Sequence, residues 1–272
     1  MTATSCAIHV ERIGKSFVIG RREVSAREAL ERVVTSGAQA LRSAGRGHDG
    51  DREEQPKLRW ALDDVSFDVE EGEVVAVMGR NGAGKSVLFR VLARVTRPTT
   101  GRAEVRGRVA PLLEVGTGFH HELTGRENIY LNGAILGMRR VEVNDRVDEI
   151  IAFSEVEEFL DMPIKHYSSG MRMRLAFAVA AHLDRDIFLL DEVLAVGDAD
   201  FQEKCLKRIA ALAAEGRTIL FVSHGVDLVE RLCSRVILLE RGRLVADGPV
   251  RDVAQRYESL RRERHPEPGG RE

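Results

Sequence analysis

The stretch Gly79-Arg80-Asn81-Gly82-Ala83-Gly84-Lys85-Ser86 fits the pattern G-x-x-x-x-G-K-[ST]. An apolar run, Glu73 to Met78, precedes it, and a helix-like one, Val87 to Val95, follows. A strand feeding a glycine-rich turn into a helix is the context that gives this pattern its meaning. Gly79, Gly82 and Gly84 let the backbone bend around a phosphate chain without side-chain clash. The loop amides, Asn81 among them, and the helix N-terminus then direct partial positive charge at an anion. Lys85 is placed to reach β- and γ-phosphates, and the Ser86 hydroxyl to hold Mg²⁺.

Downstream, Ile187-Phe188-Leu189-Leu190 is a continuous apolar run ending in Asp191-Glu192. Such a run reads as a buried strand, and buried strands often end in solvated acids. Beside a phosphate loop, the pair gains a second meaning. Asp191 can hold Mg²⁺ at the sheet edge, and Glu192 can orient or deprotonate an attacking water.

Strands and helices alternate along the rest of the chain. Strands are expected at Ala7–Ile13, Val65–Val69, Ala103–Val105, Val109–Leu113 and Thr218–Val222, with a hairpin at Val236–Leu239 and Arg243–Ala246 turning at Arg241-Gly242. Helices are expected through Leu123–Leu160 with breaks near Gly137 and Phe153, then from Ser168 to about Leu183, Phe201–Ala214, Val226–Leu232 and Val250–Leu260. The alternation predicts an α/β fold with a mainly parallel sheet, and the early strands an antiparallel layer beside it. Residues 20–57 are rich in Arg, Glu, Gly and Ser and read as a surface insertion, with a short amphipathic helix through Leu30, Val33, Val34 and Leu41. The charged tail from Arg261 to Glu272 is expected to be disordered.

The bulk numbers exclude several classes. The 272 residues suit one large domain, here about 1–260, and the net charge of −2 gives no case for a nucleic-acid partner. The three cysteines, Cys6, Cys205 and Cys233, show no metal spacing and suit a reducing cytosol. The N-terminus lacks the apolar core of a signal peptide, and no apolar run approaches the roughly 20 residues of a membrane span.

The segment Tyr167-Ser168-Ser169-Gly170-Met171 resembles the signature loop of ATP-binding-cassette (ABC) proteins, with Ser168 at its serine and Gly170 at its second glycine. Ser168 also reads as a simple helix cap, and the two roles are compatible. His224 follows a buried strand where that family has its switch histidine. Leu194 to Asp198 lies where its D-loop does, with Asp198 as the acid. Phe17, with Trp60 as runner-up, stands where an aromatic ring stacks on adenine. The segments Leu112 to His120 and Leu123 to Asn128 look like those of the branch that exports O-antigen, capsule and teichoic-acid polysaccharides.

The resemblance implies a P-loop NTPase of ABC type, with a mainly parallel core sheet, an antiparallel β layer and a helical subdomain at about residues 120–185. It implies an ATPase that uses ATP and Mg²⁺ and pairs as a homodimer, each nucleotide lying between Lys85 of one copy and Ser168 of the other. A separate membrane permease would hold it at the cytoplasmic face of the inner membrane. Two departures stand out. No glutamine lies between Gly101 and Gly137, leaving Glu114 as the nearest polar candidate for that loop's role at the metal. Val87 replaces the usual Thr after Ser86, removing a hydroxyl from the phosphate site. Other readings stay open: an importer, a non-glycan exporter, or a DNA-maintenance ATPase, although Thr96 to Lys165 holds no long heptad run. The chain ends without room for a C-terminal glycan-reading domain, so cargo recognition is expected in the membrane subunit.

Overall fold

A computed structural model describes residues 5–19, 57–112, 118–191, 197–223 and 225–262. Two long strands come first, β1 (Cys6–Ile19) and β2 (Lys57–Glu70), then β3 (Val74–Met78), helix α1 (Lys85–Leu92), β4 (Thr100–Val105) and β5 (Val109–Leu112). A helical stretch follows: α2 (Gly125–Ile135), α3 (Arg140–Asn144), α4 (Val147–Ser154) and α5 (Ser169–Ala181). The remainder alternates through β6 (Ile187–Asp191), α6 (Ala199–Ala214), β7 (Thr218–Val222), α7 (Val226–Leu232), β8 (Arg235–Glu240), β9 (Arg243–Pro249) and α8 (Val250–Arg262).

The strands form two sheets. One is antiparallel, in the order β2-β1-β4; the other has the order β5-β6-β7-β3-β8-β9, parallel except for β9. Alternation within each parallel strand divides the core. Val75 and Val77 of β3, with Leu189, Leu220 and Ile237, face α1 and the antiparallel sheet. Ala76 and Met78, with Phe188, Phe221 and Leu238, face α5 and α6. Strands covered on both faces carry continuous apolar runs, which explains the lack of alternation in Ile187–Leu190. The expected mainly parallel sheet, antiparallel layer and helical stretch are all present.

Several bounds differ from expectation. The first strand does not stop at Ile13, nor does Lys15–Phe17 end it. At Arg12 the backbone turns left-handed, φ 49°, and the β1–β2 ladder shifts register on both sides of Ile13. That bulge breaks the period-2 pattern, so the second half of the strand is invisible to it. Its partner is correspondingly longer than Val65–Val69, and Lys57 belongs to β2 rather than to the insertion. Residues 20–56, including the amphipathic helix expected there, lie outside the described residues, as do 263–272. The last helix reaches Arg262 rather than Leu260. The hairpin turn falls at Arg241-Gly242 as expected, both with positive φ (51° and 82°), the type I′ form that suits the strand twist.

Candidate nucleotide-binding site

The phosphate loop joins the C-terminal end of β3 to α1, and two of its glycines are dictated by space. A Cβ on Gly79, φ 150°, would lie 2.4 Å from the Leu239 carbonyl oxygen of β8. One on Gly84, φ 105°, would lie 2.4 Å from the Ala61 carbonyl oxygen of β2. The loop is thus wedged between both sheets, and the Gly242 amide of the hairpin turn donates to the Ala83 carbonyl at 2.9 Å. Helix α1 has no side-chain cap and no acid in its first turn, so its partial positive charge stays available.

Lys85 is only 6% exposed. Its Nζ donates to the carbonyls of Gly79 at 2.8 Å and Arg80 at 3.2 Å, which holds the ammonium within the loop's own ring. Ser86 is exposed and Val87 half-buried beside it. Asp191 arrives from β6, paired with Val222 of β7. Strands β6 and β3 are parallel and separated only by β7, so their C-terminal ends open on the same sheet edge. That edge is where open α/β sheets place ligands.

The result is a cleft of about 940 Å³. Asn81, Gly82, Gly84, Lys85, Ser86 and Asp191 line its phosphate end. Phe17 and Trp60, 49% and 43% exposed, line it as well. Both aromatic candidates therefore share one cleft with the loop. Phe17 is flanked by Lys15, whose Nζ lies 5.4 Å from the ring centre.

Sequence reasoning missed two residues of the cleft, Arg59 and Arg241. Arg59 stands directly across the ladder from Phe17, and Arg241 occupies the left-handed turn position before Gly242. With Lys85 they put three cations in the cleft, against one carboxylate, Asp191, among its described lining residues, a balance suited to a polyphosphate. No local pattern signals either residue. The Phe17–Arg59 pairing spans the insertion, and Arg241 reaches the cleft through tertiary packing.

The remaining candidates sit elsewhere. Ser168 is exposed and caps α5, its hydroxyl accepting from the Met171 amide at 3.1 Å, and Gly170, half-buried, follows in the first turn. Tyr167 beneath them is buried and donates its hydroxyl to the Phe159 carbonyl at 2.7 Å; burial pushes its pKa up to about 12. Asp198 caps α6, accepting from the Phe201 amide at 3.0 Å. None of Ser168, Gly170 and Asp198 lines the cleft. Glu192, His224 and Glu114 lie outside the described residues; Asp191, which precedes Glu192, ends β6, and Ser223, which precedes His224, directly follows the end of β7 at Val222.

A glycine-wedged loop, a buried lysine and a strand-end aspartate at one edge of a parallel sheet define a phosphate-loop nucleotide-binding protein. Comparison with known proteins narrows this. A family model described as ABC transporter matches residues 62–195. The O-antigen export system ATP-binding protein RfbB of Klebsiella pneumoniae is 52% identical over 197 residues, 72% of this chain and 80% of that one. The teichoic acids export ATP-binding protein TagH of Listeria monocytogenes is 42% identical over 201 residues, 74% of this chain and 60% of that one. A dimeric ATP-binding cassette, MJ0796, solved with ADP and Pi, superposes with a TM-score of 0.67 at 20% identity, covering 89% of this chain and 98% of that one, and shares the fold. The chain belongs to the ABC transporter ATP-binding proteins, in the branch that contains the O-antigen and teichoic-acid export proteins. Among the described residues, no helix is long and apolar enough to cross a membrane.

Proposed function

We propose that this chain is the ATP-hydrolysing subunit of an exporter for a bacterial surface polysaccharide of the O-antigen, capsule or teichoic-acid kind. Two copies pair head to tail on ATP and drive a separate membrane permease from the cytoplasmic face of the inner membrane. One observation carries the reading: the phosphate loop, Asp191 and an exposed aromatic pair share a cleft, while the capped Ser168 loop lies outside it, free to complete a neighbour's cleft. The 52% identity to an O-antigen export protein supports the kind of cargo.

Within one copy, Phe17, with Trp60 as the alternative, stacks on the purine, the loop amides and the α1 N-terminus hold the phosphates, and Lys85 turns from its carbonyls to the β- and γ-phosphates. The Ser86 hydroxyl and the Asp191 carboxylate are hard oxygen donors on one cleft wall and fit Mg²⁺. That ion would neutralise charge developing on the transferred group. Glu114 remains the candidate for the missing loop glutamine beside it. Glu192 orients and deprotonates the attacking water, and His224 steadies the γ-phosphate. From the partner copy, Ser168, Gly170 and Asp198 close the seam, the α5 N-terminus facing the γ-phosphate.

The Glu192→Gln variant, given Mg²⁺ and ATP, is expected to accumulate as a dimer by light scattering, with cysteine cross-links joining the loop at Ser86 to the partner's Ser168. Lys85→Ala is expected to abolish both. A Glu192→Gln protein that stays monomeric at saturating ATP would overturn the head-to-tail reading.

A further inference from the structure

Ser168 and Asp198 cap different helices, α5 and α6, with strand β6 between them in sequence. One side chain ties the two helix starts together. Arg174, in the second turn of α5, is only 18% exposed in its side chain. Its Nη2 donates to Asp198 Oδ2 at 2.5 Å, and its Nη1 to Glu155 Oε2 at 2.7 Å. Its guanidinium carbon lies 4.8 Å above the centre of the Phe201 ring. Both prongs and one face of a single planar group are therefore engaged, a geometry that lysine cannot reproduce.

The acceptors are themselves held. Asp198 uses its other oxygen to cap the Phe201 amide at 3.0 Å. Glu155 sits in the left-handed position that ends α4, φ 57°, and its second oxygen accepts from Lys204 of α6 at 2.8 Å. Lys204 in turn lies 5.0 Å over the Phe153 ring, which meets Phe201 edge-on at 5.8 Å. The end of α4, the second turn of α5 and the first turns of α6 form a closed circuit with Arg174 at its centre. Isolated exposed ion pairs contribute little. Here only the guanidinium is covered, Glu155 and Asp198 being 46% and 63% exposed, and it is the two-pronged, stacked geometry rather than burial that fixes position.

We propose that Arg174 is a positioning residue that presents the Ser168 loop and the Asp198 cap to the partner copy as one rigid unit. The proposal rests on the head-to-tail reading for its consequence, although the clamp itself belongs to the single copy. It makes separable demands. The cis half of the site, read by ADP affinity, does not involve Arg174. The trans half, read by ATP-driven pairing, depends on it.

The test compares Arg174→Met, Arg174→Lys and Glu155→Gln, each in the Glu192→Gln chain. Arg174→Met is expected to keep ADP affinity within about twofold while raising the ATP concentration for half-maximal dimerisation by about tenfold, the loss of one or two charge-assisted bonds. Arg174→Lys is expected to recover part of the shift, and Glu155→Gln, an isosteric loss of one prong, to show about a threefold shift on the same scale. Hydrogen exchange in the monomer reads the clamp without pairing: amides at 169–172 and 199–202 are expected to exchange faster together in Arg174→Met. Unchanged exchange at both helix starts, or a normal ATP half-point with ADP binding intact, overturns the proposal. If Arg174→Met does not fold, Glu155→Gln decides by the same two readouts. A parent chain that never dimerises sinks the head-to-tail reading instead, and exchange still judges the clamp.

Discussion

At the scale of single residues, the cleft shows what a charged group does inside a shell of glycines. Lys85 is buried, yet carbonyl oxygens of its own loop accept from it, so its charge is solvated by the backbone it serves. Val87 offers a cleaner experiment because it is half-buried on the same wall and brings no hydrogen bond. Val87→Thr is expected to tighten nucleotide binding about fivefold, the value of one neutral hydrogen bond near 1 kcal/mol. Titration with a fluorescent nucleotide measures it, and unchanged or weaker affinity would show that no phosphate oxygen comes within reach of that position. Lys85, Ser86 and Asp191 were legible because each belongs to a short motif whose spacing fixes its geometry. Arg59 and Arg241 were not, because their place in the cleft depends on a long-range ladder pairing and on the packing of an otherwise legible hairpin turn against the phosphate loop.

At the scale of elements, α5 explains both the success and the error of reading by pattern. Its start was legible, since a serine followed by a small-residue helix is a cap signal, and Ser168 caps it. Its end was placed two residues late, because the turn after Ala181 is governed by packing. There, His182 donates from Nδ1 to the Ala178 carbonyl at 2.7 Å and meets Phe153 edge-on at 5.3 Å. Burial, above all, lowers its pKa below the usual 6.5; Arg208 and Arg146 push the same way, while the Ala178 contact and Glu149 oppose. The unfolded chain therefore binds the proton more readily than the folded one. Stability from this site is complete above pH 6.5 and is lost as pH falls from 6.5 through the depressed folded value. The melting temperature is expected to drop across that window, and His182→Gln to flatten the drop in a pH series of thermal melts. An equal slope in both proteins would assign the acid sensitivity elsewhere. In the helical stretch, the break at Gly137 was readable because its φ of 82° favours glycine. The break near Phe153 came slightly early: α4 runs to Ser154, and Glu155 makes the left-handed stop.

At the scale of the whole molecule, the alternation of strands and helices predicted a parallel sheet with an antiparallel layer, and both are there. Strand order was not legible, since neighbours such as β3 and β7 pair, Val74 with Ile219, across a long stretch of intervening chain. That order sets the antiparallel sheet and α1 on one face and α5 and α6 on the other, with the cleft on the edge they share. A ligand there touches both sheets, so its binding is expected to stabilise the cassette as a unit. At 100 times its Kd, nucleotide contributes about 2.7 kcal/mol. Differential scanning calorimetry should show a single transition moving upward with ATP concentration and no movement in Lys85→Ala. Two separate transitions would mean the sheets melt independently. Finally, Ile19 and Lys57 are direct partners at the outer end of the β1–β2 ladder. Whatever occupies positions 20–56 leaves and rejoins the body at one point, like a bead on a clasp. Closing a longer loop there adds cost only logarithmically. A two-residue turn between Ile19 and Lys57 could therefore close the same ladder end.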